Sequence, residues 1–115
     1  MNLRNPIIFF DLETTGINIA SDRIVEISYL KVDLNGNETS KTMRLNPGIP
    51  IPEKVTAIHG ITNEDVKDAP TFSEVAKSLA REFEGCDLAG MFLAPGEFLA
   101  VMNLGRDGEI VGRWR

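Results

Sequence analysis

The stretch Pro6-Ile7-Ile8-Phe9-Phe10-Asp11-Leu12-Glu13-Thr14-Thr15-Gly16 limits the fold more than any other part of the chain. Its apolar run, Ile7 to Phe10, is too short for a helix, and a Thr-Thr-Gly break follows it. Residues 5–13 are therefore predicted as a buried strand. A strand buried along most of its length needs neighbouring strands and a covering layer, so the rest of the chain must build a sheet around it. The run also ends unusually for a core strand, in two carboxylates. Asp11 and Glu13, at i and i+2, project from one face roughly 6.6 Å apart at Cα, with Leu12 facing the other way.

The remaining sequence supplies the sheet. "RIVEISYLKVDLN" (23–35) is a long β-branched run, and Asn35-Gly36 is a strong hairpin signal. "ETSKTMRLN" (38–46) is the return strand, polar on one face and so expected near an edge. "PGIPIPEKVTAIHGIT" carries three prolines in six residues and is expected to be a loop with at most one short helical turn. Thr62 to Asp65 resembles a helix start, ended by Pro70. The clearest helix then begins at Thr71, an N-cap whose capping box is completed by Glu74. Phe72, Val75, Ala76, Leu79, Ala80 and Phe83 share one face at the helical period, and Gly85 closes the helix. "CDLAG" (86–90) is short, apolar and placed after a helix, which predicts a strand parallel to the first. The expected fold class is α/β: a mixed sheet of three antiparallel strands, then a helix and a parallel strand.

Composition sets the function classes. The chain has 115 residues, enough for one domain, and its 43% apolar and 25% charged content is that of an ordinary globular protein. Cys86 is the single cysteine, so no intrachain disulfide forms. The N-terminus has too short an apolar run for a signal peptide or a membrane span, and a cytoplasmic location with no membrane partner is the expectation. The net charge of −5 has the wrong sign for holding nucleic acid by phosphate neutralisation alone. A nucleic-acid function here must bring metal ions that supply local positive charge.

The carboxylate pair is where such ions fit. Like charges on one face repel and raise each other's pKa, and a cation between them removes the conflict. Hard oxygen ligands suit Mg²⁺ or Mn²⁺, and a two-metal clamp is the arrangement that hydrolyses phosphodiesters. A D-x-E pair is also common at solvated strand ends. What distinguishes this one is the buried strand before it and the Thr-Thr-Gly turn after it.

"FFDLETTG" resembles the first motif of the DEDD-type 3′–5′ exonucleases, the superfamily of the proofreading epsilon subunit of bacterial DNA polymerase III. Three further stretches are similar in order and spacing: "DRIVEISYLKVD" (22–33), "NPGIPIPEKVTAIHGITNEDVKDAPTFSEV" (46–75) and "GCDLAG" (85–90). The resemblance covers about residues 5–90. It implies a ribonuclease-H-like fold, incomplete at its C-terminus, and metal-dependent hydrolysis at nucleic-acid 3′ ends, single-stranded DNA or RNA. It implies that Asp11 and Glu13 are catalytic and ligate Mg²⁺ or Mn²⁺. The backbone at Leu12 and Thr14 would meet the terminal nucleotide, and His59 would lie near the nucleotide pocket without serving as general base. On the residues alone, His59 is a loop histidine bonded to backbone. Glu26 also follows the family's pattern, and a polar residue bonded within the sheet explains it as well.

The pattern then departs from the family. After Gly90 the asparagine of the second motif is absent, Gly96-Glu97 stands in place of Phe-Asp, and Pro95-Gly96 breaks the expected helix. The His-and-Asp third motif is missing. Residues 1–90 are thus expected to be the N-terminal part of an exonuclease domain. Residues 91–115 form a divergent tail, with 98–104 and 109–114 a candidate hairpin around Asp107-Gly108. The activity expected of this short chain is weak or nil. The alternative is a non-catalytic, nucleotide- or metal-binding remnant of the fold. One sheet face would need the tail, a polymerase or a second subunit to cover it.

Overall fold

The computed structural model describes residues 4–18 and 21–89; the tail, with Glu97 and the expected hairpin, lies outside the described residues. Four strands form one sheet in the order β3-β2-β1-β4. β1 (Ile7–Thr14) runs antiparallel to β2 (Ile24–Val32), and β2 antiparallel to β3 (Glu38–Arg44). β4 (Asp87–Ala89) lies parallel to β1, pairing at Ile7–Phe9. β1 is internal because its residues need partners on both edges. β3 is polar and exposed along nearly all its length, so it tolerates the edge. The β2–β3 turn is closed by Asp33, whose Oδ1 accepts from the amides of Asn35 (2.8 Å) and Asn37 (3.0 Å).

The helices are α1 (Glu53–His59), α2 (Asn63–Val66) and α3 (Phe72–Phe83). α3 has the capping box expected of Thr71 and Glu74, a feature worth about 1 kcal/mol. Its apolar stripe packs on the side of the sheet carrying Ile8, Phe10, Leu12, Ile27 and Tyr29. Tyr29 meets Phe83 edge to face, with ring centroids 5.3 Å apart. The connection is the right kind for a parallel β4, because a strand–helix–strand passage covers the sheet as it crosses it.

α1 corrects one expectation. Residues 47–62 hold a seven-residue helix rather than at most one short turn. The three prolines all precede it, and the last, Pro52, occupies the N-cap, where no intrahelical donor is lost. Nothing from Glu53 to His59 interrupts the helix.

A β-bulge places this helix. Glu13 pairs with Glu26, but Thr14 pairs with Ile24, so Val25 has no residue opposite it on β1. The bulge breaks the alternation of β2. Ile24 and Ile27 both enter the main core, whereas Val25 enters a second cluster with Ile51, Ile61 and Val66, against which Val55 of α1 packs. This small core anchors α1 and α2 beside the C-terminal end of β1.

Candidate active site

The alternation along β1 separates core from site. Ile8, Phe10 and Leu12 are buried, and Phe9, Asp11 and Glu13 take the opposite face. Asp11 is exposed and Glu13 half-buried. Among the described residues, neither carboxylate has a hydrogen bond or ion pair. Partial burial pushes the Glu13 pKa up from its ordinary value, and the charges of Asp11 and Glu26 push it further, against a lowering by His59. Two unpartnered oxygen donors that repel one another fit a hard divalent cation in ligand type and charge. They fill only part of its coordination shell, since no group of three or more His, Cys, Asp or Glu converges to hold a metal among the described residues.

His59 ends α1 rather than lying in a loop, and its bonds are to backbone. The Ile61 amide donates to Nδ1 at 3.1 Å, which leaves the proton on Nε2 to be donated to the Thr14 carbonyl, also 3.1 Å away. The geometry depends on Gly60, whose φ of 80° lets the chain reverse at the helix end and bring the Ile61 amide back to the ring. The imidazole therefore ties α1 to the last residue of β1. Leu12 points its side chain into the core, so only its backbone faces the site. Thr14 spends its hydroxyl on the Gly16 carbonyl.

A second carboxylate system lies just beyond. Asp22 Oδ1 accepts from the hydroxyl of Thr15 (2.6 Å) and Oδ2 from the Asn18 amide (2.9 Å). Thr15 is almost wholly buried, and its hydroxyl also accepts from the Arg23 amide at 3.0 Å. Gly16 is required by close approach: a Cβ there would stand 2.5 Å from Asp22 Oδ2. The Thr-Thr-Gly element is thus a closed, internally bonded turn that leaves the strand end in place.

The surroundings of the pair add features that the sequence did not place. Glu26, directly opposite Glu13 across the sheet, is ion-paired to Arg44 of β3 at 3.2 Å, so its bonding within the sheet is as the residues suggested, while its place beside the pair is new. Ile17, three residues after Thr14, is fully exposed, and Ile58, the neighbour of His59 in sequence, is 85% exposed. An isoleucine in a polar loop after Gly16 was the available signal for the first. No pattern marked the second. Beside Asp11, a shallow depression of about 360 Å³ crosses the sheet face, lined among others by Phe9, Ser28, Leu30, Ser40 and Thr42.

The model of a family described as exonuclease matches residues 8–93. The chain belongs to the exonuclease family. It is 38% identical over 85 residues to a DNA polymerase III subunit epsilon-like protein of Rhodobacter capsulatus, covering 70% of this chain and 12% of that protein. It is 41% identical over 81 residues to an uncharacterised exonuclease, CP81, of Escherichia phage 186, covering 70% of this chain and 40% of that one. Exonuclease I of E. coli, solved with a dT13 oligonucleotide, superposes with a TM-score of 0.64 at 19% identity, covering 76% of this chain and 20% of that one. The likeness establishes the ribonuclease-H-like fold expected from the sequence. This exonuclease-family chain spans less than half the length of each of these relatives, from 12% to 40%. Exonucleases of this kind generally use divalent metal ions. No helix among the described residues is long and apolar enough to cross a membrane.

Proposed function

We propose that the described residues form the nucleotide- and metal-facing part of a divalent-ion-dependent 3′–5′ exonuclease domain, with weak or no turnover in this chain alone. One observation carries this reading. In an exonuclease-family chain, Asp11 and Glu13 share the exposed face at the end of the central strand, and no protein group among the described residues occupies them. Mg²⁺ or Mn²⁺ bound there would supply Lewis-acid stabilisation of charge developing on a phosphodiester. The chain's own groups would orient that ion and the substrate: Asp11 and Glu13 as ligands, the Leu12 and Thr14 backbone along the terminal nucleotide, and His59 holding Thr14 in place. Ile17 and Ile58 are exposed apolar side chains available to a nucleobase. The substrate class is a nucleic-acid 3′ end, single-stranded DNA or RNA, and the compartment is the cytoplasm. A polymerase or second subunit is the partner class suited to the sheet's open face.

A second reading has its own support. No third metal-binding side chain joins the pair among the described residues, which favours a non-catalytic nucleotide- or metal-binding module. One experiment separates the two. Mononucleotide release from a 3′-labelled single strand is measured with Mn²⁺, with and without chelator, alongside a Mn²⁺ thermal-shift titration. Chelator-sensitive release that Asp11→Ala abolishes supports the enzyme. Stabilisation by Mn²⁺ without release supports the module. Neither effect at high protein concentration would sink both readings.

A further inference from the structure

The exposed face of the sheet is ordered in rungs across β1, β2 and β3. Phe9, Leu30 and Ser40 form an apolar-to-polar rung, Asp11, Ser28 and Thr42 a polar one, and Glu13, Glu26 and Arg44 a charged one. The charged rung sets two carboxylates directly opposite each other, an arrangement that costs stability unless something separates or neutralises them. Arg44 does so from the far side. Its Nη2 lies 3.2 Å from Glu26 Oε1, on the strand away from Glu13, and so draws the Glu26 carboxylate toward the sheet edge. The Asp65 pKa in α2 is lowered chiefly by the backbone amide of Thr62, with a smaller contribution from the Arg44 charge.

Glu26 nevertheless stands directly opposite Glu13 on the same face, although the three carboxylates do not converge in this arrangement of the described residues. Directly opposed residues on antiparallel strands have Cβ atoms roughly 4.5–5.5 Å apart, and a glutamate side chain spans that gap. The pair restraining it is not deeply buried, with side chains 43% exposed for Arg44 and 21% for Glu26, and ion pairs of this kind are weak. Divalent cations with oxygen ligands bind more tightly as carboxylates are added.

We propose that Glu26 is a latent third oxygen ligand for the divalent ion at Asp11 and Glu13, and that Arg44 is the positioning residue that withholds it. The inference rests on the reading of Asp11 and Glu13 as metal ligands. It accounts for three carboxylates sharing one face without converging: the third is held by a cation on the next strand. It also makes metal affinity adjustable at a residue that touches neither Asp11 nor Glu13. Any anion that competes for Arg44, such as a substrate phosphate, would release Glu26 toward the ion.

The test is Mn²⁺ binding to the full chain by calorimetry, with water-proton relaxation to count the waters left on bound Mn²⁺. Arg44→Met should tighten Mn²⁺ binding by about three- to tenfold and remove about one bound water. Adding Glu26→Asp, which keeps the charge but shortens the reach, should cancel both changes. Arg44→Lys should stay near the parent affinity. Unchanged or weaker binding in Arg44→Met, in protein whose circular dichroism matches the parent, overturns the inference. So does tightening that survives Glu26→Asp, which would mark a long-range charge effect. Should Arg44→Met fail to fold, Arg44→Gln gives the same readouts. Mn²⁺ binding that persists in Asp11→Asn/Glu13→Gln overturns the underlying metal site instead, and this inference with it.

Discussion

Two carboxylate systems lie on either side of Thr14, and they are built to opposite rules. Asp22 accepts from the Thr15 hydroxyl and the Asn18 amide, and Gly16 is packed so closely against it that a methyl group would collide. Asp11 and Glu13 have no such partners among the described residues, and Glu13 faces a third carboxylate across the sheet. An acid whose lone pairs are used inside the protein holds the chain together. Acids left to repel one another on an exposed face cost stability, and a cation between them would remove that cost. The same chemical group thus separates scaffold from site over a few residues.

The largest expected effect tests the open pair. If it holds a divalent ion, Mn²⁺ at a hundred times its Kd should stabilise the fold by about 2.7 kcal/mol. Asp11→Asn/Glu13→Gln should remove that gain while leaving the metal-free Tm unchanged or slightly raised. A fall in the metal-free Tm would mean that the pair is structural, and the contrast with Asp22 would fail.

The closed system should respond in the other way. Gly16→Ala pushes against a short side chain already held by two hydrogen bonds, and overpacking of this kind costs about 1–3 kcal/mol. Asp22→Ala leaves the buried Thr15 hydroxyl without its acceptor, at a similar cost. Chemical denaturation with and without Mn²⁺ checks both. The loss should be the same in the two conditions if the turn is scaffold alone, and larger with Mn²⁺ if the turn also holds the ligands in register.

This division was partly legible beforehand. The alternation of Ile8, Phe10 and Leu12 against Asp11 and Glu13 follows from strand geometry, and α3 from its cap and its apolar spacing, so both appeared where the sequence implied. These are local signals. The bulge at Val25 was not legible, because "RIVEIS" alternates plausibly in either register and only the second core under α1 decides it. The length of α1 was hidden by the prolines before it. The Glu26–Arg44 pair required knowing that β3 lies beside β2 in a register that sets those two residues opposite. For the second and third motifs, Glu97 and the tail, the departure from the family pattern is visible in the sequence alone.

His59 links the two systems and gives a smaller effect. His59→Ala removes the donor to the Thr14 carbonyl and the acceptor for the Ile61 amide, a cost of about 1–3 kcal/mol if both groups stay dry and less where water replaces the ring. His59→Gln, which can serve one of the two bonds but not both, should fall between. If the ring also positions substrate, both variants should weaken binding of a single-stranded oligonucleotide in Mn²⁺ by more than their metal-free Tm explains. Equal losses would confine His59 to scaffold.

The smallest effect is the pH dependence, and its sign differs between the two kinds of acid. The Asp33 pKa is lowered from its ordinary value near 3.8, chiefly by the backbone amide of Asn37, and that of Asp65 chiefly by the backbone amide of Thr62. Their folded values lie below their unfolded ones, so their contribution is complete above the unfolded pKa and is lost as pH falls through the folded one. Glu13 is the reverse: its folded value lies above 4.5, chiefly through burial, so its contribution is complete below 4.5 and is lost as pH rises through the folded value. In chelator, Asp33→Asn should flatten the Tm profile on the acid side of about pH 4, and Glu13→Gln should flatten the decline above about pH 4.5. Adding Mn²⁺ should convert the Glu13 limb alone, since a bound cation favours the ionised form, and stability there should then rise with pH. A Glu13 limb that ignores Mn²⁺ while the Asp33 limb moves would assign the ion to the hairpin turn and not to the end of β1.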